Sequence, residues 1–279
     1  SSMPLAKFNL NYGHHDGVER SMFPMGYKPR FGNLVNNTAQ RMECETLYWK
    51  DKTITLTNRN YDEVFGKELD DINKYDPVDH KDAYAREHML EYAHRTIEQT
   101  RKVVKELCGK NKITSERYVM NKPKQLLHDI IGRIDYETNK LFIELKTKPP
   151  SIVKKKGKDE YYFKTQPLGD DAVFDAYWGQ VAFYWKCTGK KPFLVLVNDK
   201  EYLIYDDTHA ALYDDHLEYQ YNMMVKRIYN WEQMIIYCKG DLQKLADISE
   251  PPDLNHFYHY KFLTDKQRKT IKQLWGLDA

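Results

Sequence analysis

The chain has 279 residues, 41 % of them hydrophobic, which is enough for one large domain or two small ones with a substantial core. Its 43 basic and 41 acidic side chains leave a net charge near +2. That balance neither demands nor excludes a polyanionic partner, because an acidic site and its basic surroundings cancel in the sum. No run approaches the ~20 apolar residues of a membrane span. Cys44, Cys108, Cys187 and Cys238 lie far apart, without the close pair usual in zinc and iron–sulfur sites. They are expected to be thiols in a reducing compartment.

Residues 4–40 are rich in Gly, Asn and Pro and are expected to form an irregular arm with short strands. Residues 53–57 alternate as a strand does, and residues 60–72 suit a short helix. Residues 79–108 suit one long helix, capped by Asp79 and ended by Gly109. The period then changes. Residues 113–120 and 126–136 suit strands, Thr138-Asn139-Lys140 a turn, and residues 141–147 another strand. In that strand Leu141, Ile143, Leu145 and Thr147 face one way, and Phe142, Glu144 and Lys146 the other.

Residues 148–169 make a polar connection, with Tyr161-Tyr162-Phe163 able to pair back as a strand. Residues 170–188 suit an aromatic-rich helix ended by Gly189. Residues 192–197 and 201–205 suit a hairpin, and residues 210–239 are mostly helical in pattern. Thr264 and Gln267 fit a capping box for a last short helix. The order of elements suits a mixed α/β domain with a central sheet flanked by helices.

The chemistry centres on Glu144-Leu145-Lys146. An acid-x-Lys triplet is a weak motif, and Asp79-His80-Lys81 is a second one, placed where a helix starts. Glu144 and Lys146 instead lie in an apolar strand, where charges facing a core are costly unless paired or used. An edge strand with a solvated polar face explains the triplet equally well when it is taken alone. Asp135 ends the preceding strand, so antiparallel pairing can bring its carboxylate beside that of Glu144. Two carboxylates suit a hard cation such as Mg²⁺ or Mn²⁺. Lys146 shares their face and can orient or help deprotonate a water and steady charge on a phosphate oxygen. Gln180 and Tyr184, and likewise His94 and Glu98, are four apart on helices and share faces. Alone, the first pair reads as packing and the second as a solvated pair.

Taken in order, His94-Arg95-Thr96-Ile97-Glu98, Gly132-Arg133-Ile134-Asp135, Glu144-Leu145-Lys146-Thr147 and Gln180-Val181-Ala182-Phe183-Tyr184 resemble the PD-(D/E)XK nuclease superfamily. Within it they resemble the RecB-type exonuclease branch, which includes mitochondrial and phage exonucleases. The resemblance spans roughly residues 90–206. It implies a restriction-endonuclease-like α/β fold with a mixed central sheet. It implies that Asp135, Glu144 and the Leu145 carbonyl bind Mg²⁺ or Mn²⁺, and that Lys146 acts on the attacking water. Gln180 would support Lys146 or the phosphate, and Tyr184 the DNA or the helix packing, with Thr147 supporting. His94 would be a further metal ligand and Glu98 a supporting one, with Glu91 a rival on the same helix face and Glu116 a further candidate. Members of the branch that hold an iron–sulfur cluster have three cysteines grouped near the C-terminus. This chain does not, so no cluster is expected. The spacer between Thr147 and Gln180 is longer and more basic than the resemblance leads one to expect.

That spacer carries Lys148, Lys154, Lys155, Lys156 and Lys158, read as a flexible basic arm for phosphate contacts. Tyr161 suits stacking on a base or a small hairpin core. The expected function is a DNA exonuclease acting on free, single-stranded ends in replication, repair or recombination. An endonuclease on DNA or RNA, or a module that only binds nucleic-acid ends, remain alternatives. The expected organisation is an arm and cover region at 1–78, a nuclease core at 79–245 and a helical extension at 246–279, together one compact unit. The expected setting is a cytoplasmic monomer in a bacterial or phage-infected cell, with no targeting segment or membrane contact, working beside replication or recombination proteins.

Overall fold

Phe31, Leu34, Val35, Thr38, Ala39 and Met42 repeat at helical spacing, and their burial on one face defines helix α1 (Tyr27–Glu43). This is seen in a computed structural model of the chain, which describes residues 27–49, 52–57, 60–73, 77, 80–157, 160–170, 175–250 and 265–277. The irregular arm expected over residues 4–40 is therefore helical from Tyr27 onward, and residues 4–26 lie outside the described residues. Gly32, Asn33, Asn36 and Asn37 are poor helix formers. Burying the apolar stripe outweighs them, at roughly 1.5–3 kcal/mol for each large side chain.

The strands follow as β1 (Thr46–Trp49) and β2 (Lys52–Thr55), then helices α2 (Tyr61–Asn73), α3 (His80–His88) and α4 (Leu90–Cys108). The expected single helix over 79–108 is thus two segments divided at Met89. Backbone bonds from Met89 N–H to Ala85 O and from Ala93 N–H to Met89 O carry the chain across the division. Gly109, at φ 56°, ends α4 as expected. Asp79 lies outside the described residues.

Next come β3 (Thr114–Asn121), β4 (Ile130–Glu137), β5 (Leu141–Thr147), β6 (Ser151–Lys154), β7 (Tyr161–Lys164), α5 (Asp175–Thr188), β8 (Lys191–Val197) and β9 (Tyr202–Tyr205). Seven strands form one mixed sheet in the order β2-β1-β3-β4-β5-β8-β9. The β1–β3 and β5–β8 pairs are parallel and the rest antiparallel. This is an α/β architecture with a helix-flanked mixed sheet.

The alternation read for β5 positions the core. Ile143 and Leu145 pack with Tyr136, Val195 and Val197 against Val103 and Val104 of α4. Phe142, on the opposite face, meets the ring of Tyr184 on α5 edge-on at 6.0 Å.

The basic spacer is not a loose arm. Strands β6 and β7 pair as a separate antiparallel hairpin. Its Phe163 is buried with Phe31, Met89 and Ile97 and lies 4.9 Å from the ring of Tyr92. Cys44, Cys108 and Cys238 are buried and Cys187 is half-buried, none in a disulfide.

The described residues fall into two compact units. The first holds Met25–Pro123 and His128–Met224, so α1, α2, β1 and β2 belong with the sheet. The second holds Lys124–Leu127 and the described residues from Val225 onward, including the end of α6 (Asp214–Cys238), α7 (Leu242–Ile248) and α8 (Asp265–Leu274). Within it Leu127 N–H donates to Glu232 Oε2 at 2.9 Å, and Gln243 Nε2 donates to Leu274 O at 2.9 Å. Thr264, the expected cap of a box with Gln267, lies outside the described residues. Among the described residues no helix is long and apolar enough to cross a membrane.

Candidate active site

Strands β4 and β5 pair only at Tyr136↔Ile143 and Glu137↔Phe142, beside the turn. Beyond that they part, while β5 stays paired with β8 along its length. In the fork, Asp135 Oδ2 accepts the Leu145 N–H at 2.8 Å. A side chain thus replaces the missing ladder partner and keeps that donor satisfied. The same register, carried one residue further, sets Asp135 against Glu144.

A second irregularity lies on the other side of β4. Its register with β3 runs through Ser115↔Tyr136 and Arg117↔Ile134, passing over Glu116. Glu116 has φ 56°, a left-handed conformation costing about 1–3 kcal/mol in a residue with a Cβ. Its Oε1 accepts from Gln40 Nε2 at 2.8 Å, and its Oε2 stands 3.8 Å from Arg133 Nη1.

Glu144 is 1 % exposed. Its Oε1 accepts from Lys146 Nζ, and its Oε2 is buried with no hydrogen-bond partner. Lys146 Nζ also donates to Gln180 Oε1 at 3.0 Å. Gln180 Nε2 in turn donates to Tyr184 Oη at 2.9 Å, which also accepts the Arg133 N–H at 3.2 Å. One turn of α5 therefore fixes the lysine head through a chain of side-chain bonds.

The electrostatics show a shortage of positive charge. Burial pushes the Glu144 carboxyl up to about 8; the charge of Asp135 adds to this, and Lys146 opposes it. Burial likewise pushes Asp135 up to about 6, against the pull of Lys146. Burial disfavours the Lys146 ammonium, but Glu144 and Asp135 outweigh it and hold its pKa above the ordinary value. Here Lys146 faces the buried carboxyl of Glu144 and the half-buried one of Asp135, while the nearby Glu116 stands 3.8 Å from Arg133.

These groups open into a pocket of about 510 Å³ whose far wall is α1. Asn33, Asn36, Asn37 and Gln40 line it from that helix. Tyr136 Oη donates to Asn36 Oδ1 at 3.2 Å, and Asn36 hydrogen-bonds the Asp135 carboxylate. Gln40, fully buried, also reaches the Asp135 carbonyl at 3.3 Å. The sequence reading missed this wall. The signal was the polar spacing 33, 36, 37, 40, set against the apolar spacing 31, 34, 35, 38, 39, 42.

Comparisons with protein-family models, with curated proteins and with solved structures find no match. The functional reading therefore rests on the residues of the site itself.

Of the residues singled out in the sequence, Asp135, Glu144, Leu145, Lys146, Thr147, Gln180 and Glu116 line this one pocket. Tyr184 lies behind it, bonded to Gln180. His94, Glu98 and Glu91 do not line it. His94 is exposed on α4, its ring stacked on Phe65 at 4.1 Å and its Nδ1 2.7 Å from Tyr61 Oη. Glu98 is exposed on the same helix, and Glu91 pairs with Arg95. The reason is helical phase: Ala93 and Ile97 take the buried face of α4, which turns His94 toward α2.

The lysines divide as well. Lys148 is buried beside Lys146, and burial together with that neighbouring charge lowers its pKa. Both ammonium groups lie over the ring of Tyr177, at 4.8 and 5.3 Å from its centre. Lys154, Lys155 and Lys156 are exposed at the β6–β7 hairpin, Lys155 pairing with Glu160 at 2.7 Å. None of the three lines the pocket, and Lys158 lies outside the described residues. Tyr161, half-buried, meets the ring of Tyr84 on α3 at 5.8 Å.

Among the described residues, no group of three or more His, Cys, Asp or Glu side chains is arranged to hold a metal ion. The Asp135–Glu144 pair nevertheless fits a hard divalent cation on its donor chemistry. It offers two carboxylates, an unpartnered buried oxygen and a local deficit of positive charge.

Proposed function

We propose that the chain is a metal-dependent nuclease of the PD-(D/E)XK type, hydrolysing DNA from free, single-stranded ends in replication, repair or recombination. The observation that carries this reading is the buried, unpartnered Glu144 Oε2 beside Asp135, with Lys146 held to Gln180 in the same open pocket. A surface ion pair needs none of this, and burying such a group without use is costly.

Asp135, Glu144 and the Leu145 carbonyl would hold a divalent cation, Mg²⁺ or Mn²⁺, which would supply Lewis acidity toward a phosphate oxygen. Lys146 keeps its proton at Nζ, so it serves as a donor that orients the attacking water and offsets charge on the phosphate. Gln180, itself anchored by Tyr184, sets where that ammonium points. Arg133 on β4, and the Asn33 amide on the facing helix α1, would provide donors for the phosphodiester backbone.

The test is digestion of end-labelled linear strands beside a circular single strand, with Mg²⁺ or Mn²⁺. The proposal expects the linear strand to shorten from its end and the circle to persist. A cut circle, or cut RNA, moves the assignment to an endonuclease using the same centre. No cleavage of any substrate with either metal overturns the enzyme reading.

A further inference from the structure

Strands β3 and β4 set Tyr118 directly opposite Arg133, and Met120 directly opposite Ile131. Directly opposed residues share a face of the sheet, so these four side chains form one strip. All are exposed: Tyr118 by 44 %, Met120 by 60 %, Ile131 by 52 % and the Arg133 side chain by 63 %. The residues between them behave differently. Val119 is buried, and Gly132 lies beneath Tyr184 and Phe183. The strip is therefore the uncovered face of strands whose other face is packed.

Its position matters as much as its exposure. Arg133 lines the pocket together with Glu116 and Asp135, so the strip begins at the candidate active site and runs away from it along the strands. Single exposed apolar side chains are ordinary, whereas contiguous ones mark contact surfaces. Here an aromatic ring and two aliphatic side chains follow a guanidinium, and exposed Lys122 comes directly after β3.

We propose that this strip is a track for an unpaired nucleic-acid strand entering the pocket. The inference rests on the nuclease reading above and names the part of the surface that selects single strands. The Tyr118 ring offers a stacking platform that any base can use. Met120 and Ile131 extend that apolar floor, and Arg133 and Lys122 supply cations for the phosphates at its two ends. A duplex hides its base faces and presents mainly phosphates, so it has no use for the apolar floor.

The test uses the full chain in chelator, so that binding is read without cleavage, with fluorescence anisotropy of a labelled single-stranded oligonucleotide. Tyr118→Ala is expected to weaken binding roughly 5- to 150-fold, the range of one lost base stack. Tyr118→Phe is expected to restore it, since stacking needs the ring and not the hydroxyl. Tyr118 is exposed, and an unchanged circular-dichroism melt checks that the variants fold. If the wild type binds or cuts nucleic acid while Tyr118→Ala binds as tightly as wild type, the track is wrong and the nuclease reading stands. If Tyr118→Ala instead shifts the sedimentation of the chain without changing oligonucleotide affinity, the strip is a contact between copies and the proposal fails. If the wild type neither binds nor cuts, the nuclease reading falls and takes this inference with it.

Discussion

The backbone of Gly132 passes directly beneath the ring of Tyr184: a Cβ there would run into Tyr184 Cε1 and stand 3.0 Å from Phe183 Cε1. Helix α5 thus rests on bare backbone of β4, three residues before Asp135. That seat lets Tyr184 Oη reach both Arg133 N–H and Gln180, and so determines where Gln180 holds Lys146. Gly132→Ala is expected to lower stability by about 1–3 kcal/mol, the cost of overpacking a tight contact. It should also slow cleavage, because α5 must shift. Urea denaturation and cleavage rates check this, and wild-type values for both would contradict the close approach.

Gln40 joins α1 to the acidic cluster by donating to Glu116 Oε1 and to the Asp135 carbonyl. Gln40→Glu replaces that donor with a carboxylate facing a carboxylate. In chelator it is expected to cost about 2 kcal/mol or more, for the lost bond and the added repulsion. A divalent cation should recover part of the loss. Thermal melts with EDTA and with Mg²⁺ measure the difference, and a loss indifferent to Mg²⁺ would argue against a cation beside Glu116.

His94→Ala tests the displacement of His94 from the site. It removes a ring stacked on Phe65 and bonded to Tyr61, so a stability loss of about 1 kcal/mol is expected. Cleavage with Mg²⁺ should stay within about twofold of wild type. A hundredfold fall in cleavage with an unchanged melt would return His94 to the metal site.

The carboxyls of Glu144 and Asp135 make a pH prediction with a definite sign. In the metal-free chain Glu144 is raised from 4.5 to about 8 and Asp135 from 3.8 to about 6. The folded state therefore binds more protons than the unfolded state between about pH 4 and pH 8, and stability falls as pH rises through that window. A cation competes with those protons, so its stabilising increment grows with pH. Melts at pH 5.5 and 8.5 should show a larger gain from Mg²⁺ at pH 8.5. Equal gains would mean that the cation binds elsewhere.

The centre of the site was readable in the sequence because strand alternation and a short turn already bring Asp135, Glu144 and Lys146 together. Gln180 and Tyr184 were readable as one face of a helix, and the structure turns that face to the lysine. Helix α1 was not readable from composition, since Gly32 and three asparagines argue against a helix until the burial of Phe31, Leu34 and Val35 is counted. His94 and Glu98 show the limit of spacing. An i,i+4 pair shares a face, but only packing decides where that face points. The lysines of the spacer show a similar limit, because a charge run does not disclose that Phe163 fastens it to the helices. The positive φ of Glu116, where the β3–β4 pairing passes over that residue, leaves no mark in the sequence at all.

The most direct test of the central claim is single-turnover cleavage of an end-labelled single strand by wild type and Lys146→Ala with Mg²⁺, with strand binding of both measured in chelator. If the ammonium acts as the proposed donor, Lys146→Ala should cut at least about a hundredfold more slowly while binding within a fewfold of wild type. A Lys146→Ala chain that cuts at the wild-type rate would contradict the assignment of the centre to Asp135, Glu144 and Lys146.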